Sequence, residues 1–456
     1  MTSLASTSVS ISDAFDGGNG KLVKTEVIDG QLTVFVDIKK DPFTELEKMH
    51  HSQYFSFRSS IKGLPAPDND DGNGNGNGNG TTLVKYVLAN AGDSSYPSAW
   101  DGSTTFYSTT PSEPSSWKRK LDTTYDSGTG ELSWTHTYTH DQGSASAYFA
   151  YFPPFSYERH LNLVSKCEAA PSASVQSLGQ TLDGREMECI TVGTGPKTCW
   201  IIHRQHPGEN MAEFYAEGLL ARLLGLDSGY AVDGMVRNVL NMYTFYIVPN
   251  MCPDGAFRGH LRTNAAGQNL NREWCSSGSE ENGDFYEAPT LKRSPEVYHV
   301  LQKIDETGCD MFLDVHGDEE IPFNFLAGGE GCANWRQRSA TLHGAFLAKY
   351  SRTNSDMQIP VGYDPEEPGQ GRTNVCSNQI MTRFDCLAAT LEMPFKDCLS
   401  NPDQERGWNG ARAAMLGSSV LEALAYVGPY LREDELSEAF GEDDAYVRPS
   451  ANYKSL

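Results

Sequence analysis

TCWIIHRQHPGEN, residues 198–210, reads as a buried strand that runs into a turn and then into a helix beginning near Glu209. The same alternation recurs on both sides of it. Strands are expected at TCWIIH (198–203), MYTFYIVPN (242–250), DMFLDVH (310–316) and CLAATLE (386–392), with long amphipathic helices near Glu209 to Leu226, Ser294 to Glu306, Asn334 to Tyr350 and Asn409 to Val427. Strands alternating with helices imply an α/β domain built on a mixed, mainly parallel sheet. Such sheets bind ligands beyond the carboxyl ends of their strands, where the HRQHPGE turn lies.

Upstream the texture changes. QLTVFVDI (31–38), YFSFRSSI (54–61), TLVKYVLANA (82–91), ELSWTHTYTH (131–140) and SAYFAYF (146–152) are short runs rich in aromatic and β-branched residues, separated by turns. They predict an all-β sandwich. The run GNGNGNGNG (72–80) has nothing to bury and fits a flexible loop between two strands. With 456 residues the chain is too long for one ordinary core. The expected division is a β-sandwich domain at 1–165, an α/β domain at 166–430 and a solvated acidic tail at 431–456.

Sixty Asp and Glu stand against 36 Lys and Arg, a formal charge of −24. That balance argues against a general nucleic-acid binder, which needs a basic face, and against a polybasic membrane-surface protein. No stretch approaches the roughly 20 consecutive apolar residues that span a bilayer. The start, MTSLASTSVSISDAF, lacks the cationic and apolar regions of a signal peptide, and the ten cysteines contain no CxxC pair. A cytoplasmic protein with free thiols is expected.

The chemistry-bearing residues gather near strand ends. His206 and Glu209, three positions apart across the turn, can point an imidazole and a carboxylate at one centre. Zinc suits that mixture and takes three protein ligands in catalytic sites, and His316, ending the apolar strand FLDVH, is the candidate third. RGHLRTNAAGQNLNREW (258–274) gathers three arginines around a glycine turn, and an arginine fork can grip a carboxylate. Glu392 ends the apolar strand in LAATLEMPF, where an ionised group is costly unless paired or catalytic. Each motif alone has a plainer reading: a capping Glu beside a loop histidine, a solvated basic loop, a salt-bridge partner.

Their order, HPGE, NLNR, DVH and LEMPF, resembles the zinc carboxypeptidase family, and the preceding β domain with SAYFAYFPPFSYERHL is similar to its cytosolic carboxypeptidase subfamily. The resemblance implies a carboxypeptidase-like α/β domain and one Zn2+ per chain on His206, Glu209 and His316. It implies that Asn271 and Arg272 hold the terminal carboxylate of a peptide or protein tail, that Arg262 polarises the scissile carbonyl, and that Glu392 is the general base as a zinc-bound water attacks. Two positions depart from the family. Asn269 stands where an acid often orients the first histidine, and the substrate-capping tyrosine has no clear match, Tyr363 being the nearest upstream tyrosine. Asp314, on the same strand face as His316, is a candidate to orient it. Arg383 and Arg372 are candidates for a basic pocket that would make the activity a deglutamylation. The competing readings are a zinc amidohydrolase or deacylase of N-acyl amino acids and a catalytically silent binding module.

Overall fold

Among the described residues ten strands form the first of two units, Met1–Asp41, His50–Pro154 and Phe257–Leu261. They are β1 (Ser8–Ser12), β2 (Lys21–Ile28), β3 (Gln31–Asp37), β4 (Ser56–Lys62), β5 (Thr81–Leu88), β6 (Thr105–Ser108), β7 (Lys118–Lys120), β8 (Thr124–Asp126), β9 (Glu131–Thr139) and β10 (Ser144–Ala150). The computed structural model describes residues 7–44, 50–63, 81–139, 144–226, 233–275, 279–281, 284–436 and 439–455, so the 72–80 run lies outside the described residues. Two five-stranded sheets result, ordered β1-β4-β10-β6-β7 and β2-β3-β5-β9-β8. The alternation read in the sequence turns one face of each inward. Phe57 and Phe149 from the first sheet meet Tyr86 and Trp134 from the second, with the Tyr86 and Phe149 rings 4.6 Å apart. This aromatic layer is the core of the sandwich.

The second unit, Pro42–Met49, Phe155–Ala256 and Arg262–Leu456, is the α/β domain. Its strands are β11 (Ala173–Gln180), β12 (Glu186–Val192), β13 (Lys197–His203), β14 (Tyr243–Val248), the hairpin β15 (Ser279–Glu281) and β16 (Asp284–Tyr286), β17 (Met311–Val315), β18 (Phe325–Ala327) and β19 (Leu387–Glu392). The helices are α1 (Tyr157–Ala169), α2 (Asn210–Leu224), α3 (Gly234–Met242), α4 (Pro253–Arg258), α5 (Pro295–Thr307), α6 (Gln337–Thr353), α7 (Cys376–Phe384) and α8 (Gly410–Val427). The sheet runs β11-β12-β14-β13-β17-β19-β18. Its middle strands β14, β13, β17 and β19 are parallel, and the outer pairings are antiparallel. β17 and β19 are buried from end to end and β13 from Cys199 onward, which is why CWIIH, FLDV and LAATL read as continuous apolar runs. Helix α2 packs on α8 so closely that a Cβ at Gly218 would run into the Ala414 carbonyl. Among the described residues no helix is long and apolar enough to cross a membrane.

Two expectations change. The division falls at Pro154 and Phe155 rather than near residue 165, because α1 belongs to the α/β unit. Its His160 places Nδ1 2.6 Å from Glu213 Oε1 on α2 and Nε2 3.2 Å from Glu188 Oε2 on β12. The segment after residue 430, read as a solvated tail, packs on the α/β unit where it is described. Asp444 pairs with Arg352 of α6, and Tyr446 bonds Glu330. Asp444 is balanced locally, a pairing that composition alone does not reveal.

Burial alone would depress the His160 imidazole, but the Glu213 and Glu188 carboxylates outweigh it and raise its pKa from 6.5 to about 9. The folded state therefore binds this proton more tightly than the unfolded one. Its stabilisation is complete below pH 6.5 and fades as the pH rises through about 9. His160→Gln should cost about 3 kcal/mol at pH 6 and markedly less at pH 9.5, as read by urea unfolding at the two values.

Candidate active site

The turn after β13 is shaped by Arg204, which adopts a left-handed backbone (φ 57°) and is almost fully buried. Its guanidinium donates to Pro207 O at 2.9 Å, Phe155 O at 3.0 Å, Glu213 Oε2 at 2.7 Å and Asn210 Oδ1 at 2.6 Å. Those bonds wrap HPGE around one cation. They offset the strain of the backbone and the cost of burying its charge. Glu209 then stands at the N-cap of α2, facing back toward His206.

Parallel pairing brings the remaining residues to the same end. Val315 pairs with Leu391 and His203 with Val315, and His316 N donates to Leu391 O at 2.8 Å. His316 therefore leaves its strand beside Glu392. Ligating atoms of His206, Glu209 and His316 lie within 4.8 Å of one another, all three residues being buried. His206 Nδ1 is 2.7 Å from Glu209 Oε1, His316 Nδ1 is 2.9 Å from Glu209 Oε2, and the two Nδ1 atoms are 3.1 Å apart. Two imidazole nitrogens and a carboxylate facing one point are a donor set that fits zinc with a position left open.

The outer nitrogens have their own partners. His206 Nε2 is 3.1 Å from Asn269 Oδ1, so a neutral amide orients this ring. His316 Nε2 is 2.9 Å from Asp314 Oδ2, which also accepts from Gln205 Nε2, and Trp274 Nε1 donates to Gln205 Oε1. Burial and the Arg262 charge lower His206 to about 3, against the pull of Glu209. Burial would lower His316 too, but Asp314 and Glu209 prevail and hold it well above its ordinary value.

The 262–272 loop is a small hairpin. Thr263 and Asn269 pair across it, and the buried Asn264 Oδ1 accepts from Ala266 N and Gln268 N, both at 3.0 Å. Asn264 Nδ2 donates to Glu296 Oε2 of α5 at 3.1 Å. At the tip Gly267 has φ 80°, and a Cβ there would collide with the Phe43 carbonyl. The Arg262 charge, at the start of the hairpin, acts on His206 and disfavours its protonation. Asn271 is buried with Oδ1 accepting from Cys376 N at 2.9 Å, and Arg272 is exposed, its Nη1 donating to Asn271 O.

Glu392 is 7% exposed, and its Oε2 has no hydrogen-bond partner among the described residues. Burial raises its pKa, His316 opposes, and Glu209 and Asp318 reinforce the rise. The Tyr363 hydroxyl is 3.3 Å from Glu392 Oε1 and 2.7 Å from Asp318 Oδ2. Arg383 is not brought here. It pairs with Asp305 of α5 and precedes β19, a strand of six residues and about 17 Å that ends at Glu392. Arg372 is exposed in the loop before α7, whose Asn374 O accepts from Trp274 N. Arg204 and Asp318 were not singled out from the sequence, although an arginine directly after an apolar strand and an acid two residues past His316 were visible signals.

Residues 162–341 match the family described as zinc carboxypeptidase, and residues 75–152 match the cytosolic carboxypeptidase N-terminal domain. A metallo-carboxypeptidase from Pseudomonas aeruginosa is 35% identical, with 93% of this chain and 100% of that one covered at a TM-score of 0.77. The chain belongs to the zinc carboxypeptidase family. A metallo-carboxypeptidase from Burkholderia cenocepacia is 36% identical over 92% of this chain and 98% of that one, TM-score 0.76. An uncharacterized protein of Zymomonas mobilis is 37% identical over 91% of this chain and 95% of its own length. Cytosolic carboxypeptidase 6 of Caenorhabditis elegans is 24% identical over 54% of this chain, which spans 53% of that relative's length. This carboxypeptidase is thus a zinc metalloenzyme that acts on peptides.

Gly267→Ala tests the hairpin. The left-handed backbone and the approach of Phe43 should make it cost about 2 kcal/mol or more in urea unfolding, whereas Ala266→Gly should cost less than about 1 kcal/mol.

Proposed function

We propose that this carboxypeptidase removes the C-terminal residue of peptides or protein tails, with one zinc held by His206, Glu209 and His316 and with Glu392 as general base. The observation that carries the reading is the convergence of three buried ligating groups beside a buried carboxyl at the ends of adjacent parallel strands. Zinc, when bound, supplies a Lewis acid that polarises a carbonyl and lowers the pKa of water.

The chain's own groups do the rest. Glu392, its carboxyl pushed up by burial, accepts the proton of the attacking water and returns it to the leaving amine. Arg262 stabilises negative charge developing on the carbonyl oxygen. Asn271 and the exposed Arg272 grip the terminal carboxylate, which an internal peptide bond does not offer. The Tyr363 hydroxyl, between Asp318 and Glu392, closes the same site.

A glutamyl end residue is the finer reading. It is supported by Arg372, whose loop is bonded to the Asn271–Trp274 segment, and not by Arg383. The Pseudomonas relative is described in complex with (2-guanidinoethylmercapto)succinic acid, so a basic end residue is the rival. Release of Glu, Lys and Phe from matched peptides separates them. Faster release of Glu supports deglutamylation, and preference for Lys or Phe rejects it.

Glu392→Gln should keep its zinc and lose kcat by about 1000-fold, and a near wild-type rate would reject the base assignment. His316→Ala should lose the metal. Because His316 is held protonated in the absence of metal, zinc binding must displace that proton, so affinity should fall as the pH is lowered, measured by competition with a chelator.

A further inference from the structure

Tyr363 sits in a loop of the α/β unit that is bonded mainly to a segment more than 80 residues downstream. Val361 is held from its own side by Gln358, whose Oε1 accepts from Val361 N and whose Nε2 donates to Val361 O. Beyond it the partners change. Val361 pairs in parallel with Ser450; Gly362 N donates to Ser450 O at 3.2 Å, and Ser450 N donates to Pro360 O at 3.0 Å. Asp364 Oδ1 accepts from Ser450 Oγ at 3.0 Å and from Ala451 N at 3.3 Å. Arg448 Nη2 donates to Pro365 O at 3.0 Å. The loop is thus bonded on both sides of the tyrosine.

The downstream segment is itself anchored. Asp444 pairs with Arg352 of α6 and accepts from the Tyr426 hydroxyl of α8. Tyr446 donates to Glu330 and packs edge-on against Trp335 and His343. At its far end Tyr453 meets Phe323 edge-on at 5.5 Å, in a small apolar cluster with Ile321, Phe325 and Val361. The Phe325 ring in turn meets Tyr363 edge-on at 4.8 Å. None of the contacts just named touches the ligand candidates. The bonds of Arg448, Ser450 and Ala451 end on the loop that carries Tyr363, and Tyr453 joins the apolar cluster of Phe325, the ring beneath it.

We propose that residues 446–453 are a positioning strap for Tyr363, holding its hydroxyl against Asp318 and Glu392 so that the site closes on a bound substrate. This rests on the reading that Tyr363 works within the carboxypeptidase site. Tyr363 is 41% exposed, on a loop with two glycines and three prolines from 360 to 369 that lies outside every helix and strand. Pinning that loop removes alternative placements of the hydroxyl before substrate arrives.

A double-mutant cycle tests the strap. One arm is the full chain shortened to end at Tyr446; the second is Ser450→Pro, which deletes the bond to Pro360 O and guards against a shortened chain that does not fold. Each is made with and without Tyr363→Phe, and kcat/KM is measured on a blocked dipeptide ending in the residue the peptide panel selects, with zinc content checked. Either strap change should lower kcat/KM about tenfold when Tyr363 is present and less than about twofold in the Tyr363→Phe background. Amide exchange at Gly362 should accelerate in both. Strap variants that keep wild-type kcat/KM, or that lose the same factor in both backgrounds, would overturn the proposal. Silence of Tyr363→Phe itself would overturn it as well. Failure of the parent reading shows separately, as a Glu392→Gln chain that retains its rate.

Discussion

Everything in the site depends on three parallel strands ending at the same height. The bond from His316 N to Leu391 O and the register of β13, β17 and β19 fix where the apolar runs stop, and the first polar residues past that line are His316 and Glu392. A one-residue slip of β17 against β19 would turn alternate side chains to the opposite face and separate the pair. The buried leucines, valines and alanines of those strands therefore position the chemistry as directly as any hydrogen bond does.

Charge is compensated in layers around that line. Glu213 serves as the hub behind the HPGE turn, facing Arg204, His160 and Asn250, so the left-handed turn and the helix capped by Glu209 are tied to α1. On the other side Asp314, Gln205 and Trp274 brace His316, while Asn269 gives His206 only a neutral partner. The two histidines differ accordingly: burial and the Arg262 charge lower one, and Asp314 and Glu209 raise the other. The net charge of −24 has no bearing on this, because each acid near the site has its own local partner or is held up by burial.

The α/β architecture and the gathering of His206, Glu209, His316 and Glu392 were legible because each sits at the end of an apolar run, and such runs end where a sheet ends. The sandwich was legible from its aromatic alternation. What was not legible came from pairings between polar residues far apart in sequence. Asp364 with Ser450 and Tyr446 with Glu330 leave no periodicity, so the downstream segment read as a solvated tail. Asn264 looked like one more amide, although its four hydrogen bonds shape the hairpin that presents Arg262 and Arg272. Arg383 shows the converse: it is near Glu392 in sequence, but a whole strand separates the two in space.

The central claim is that His206, Glu209 and His316 share one zinc ion. X-ray absorption at the zinc edge of the purified enzyme tests it most directly. The account predicts one zinc per chain in a shell of nitrogen and oxygen alone, with the scattering of two imidazoles, and no bound zinc in His316→Ala. A sulfur shell at about 2.3 Å, drawn from any of the ten cysteines, would contradict it.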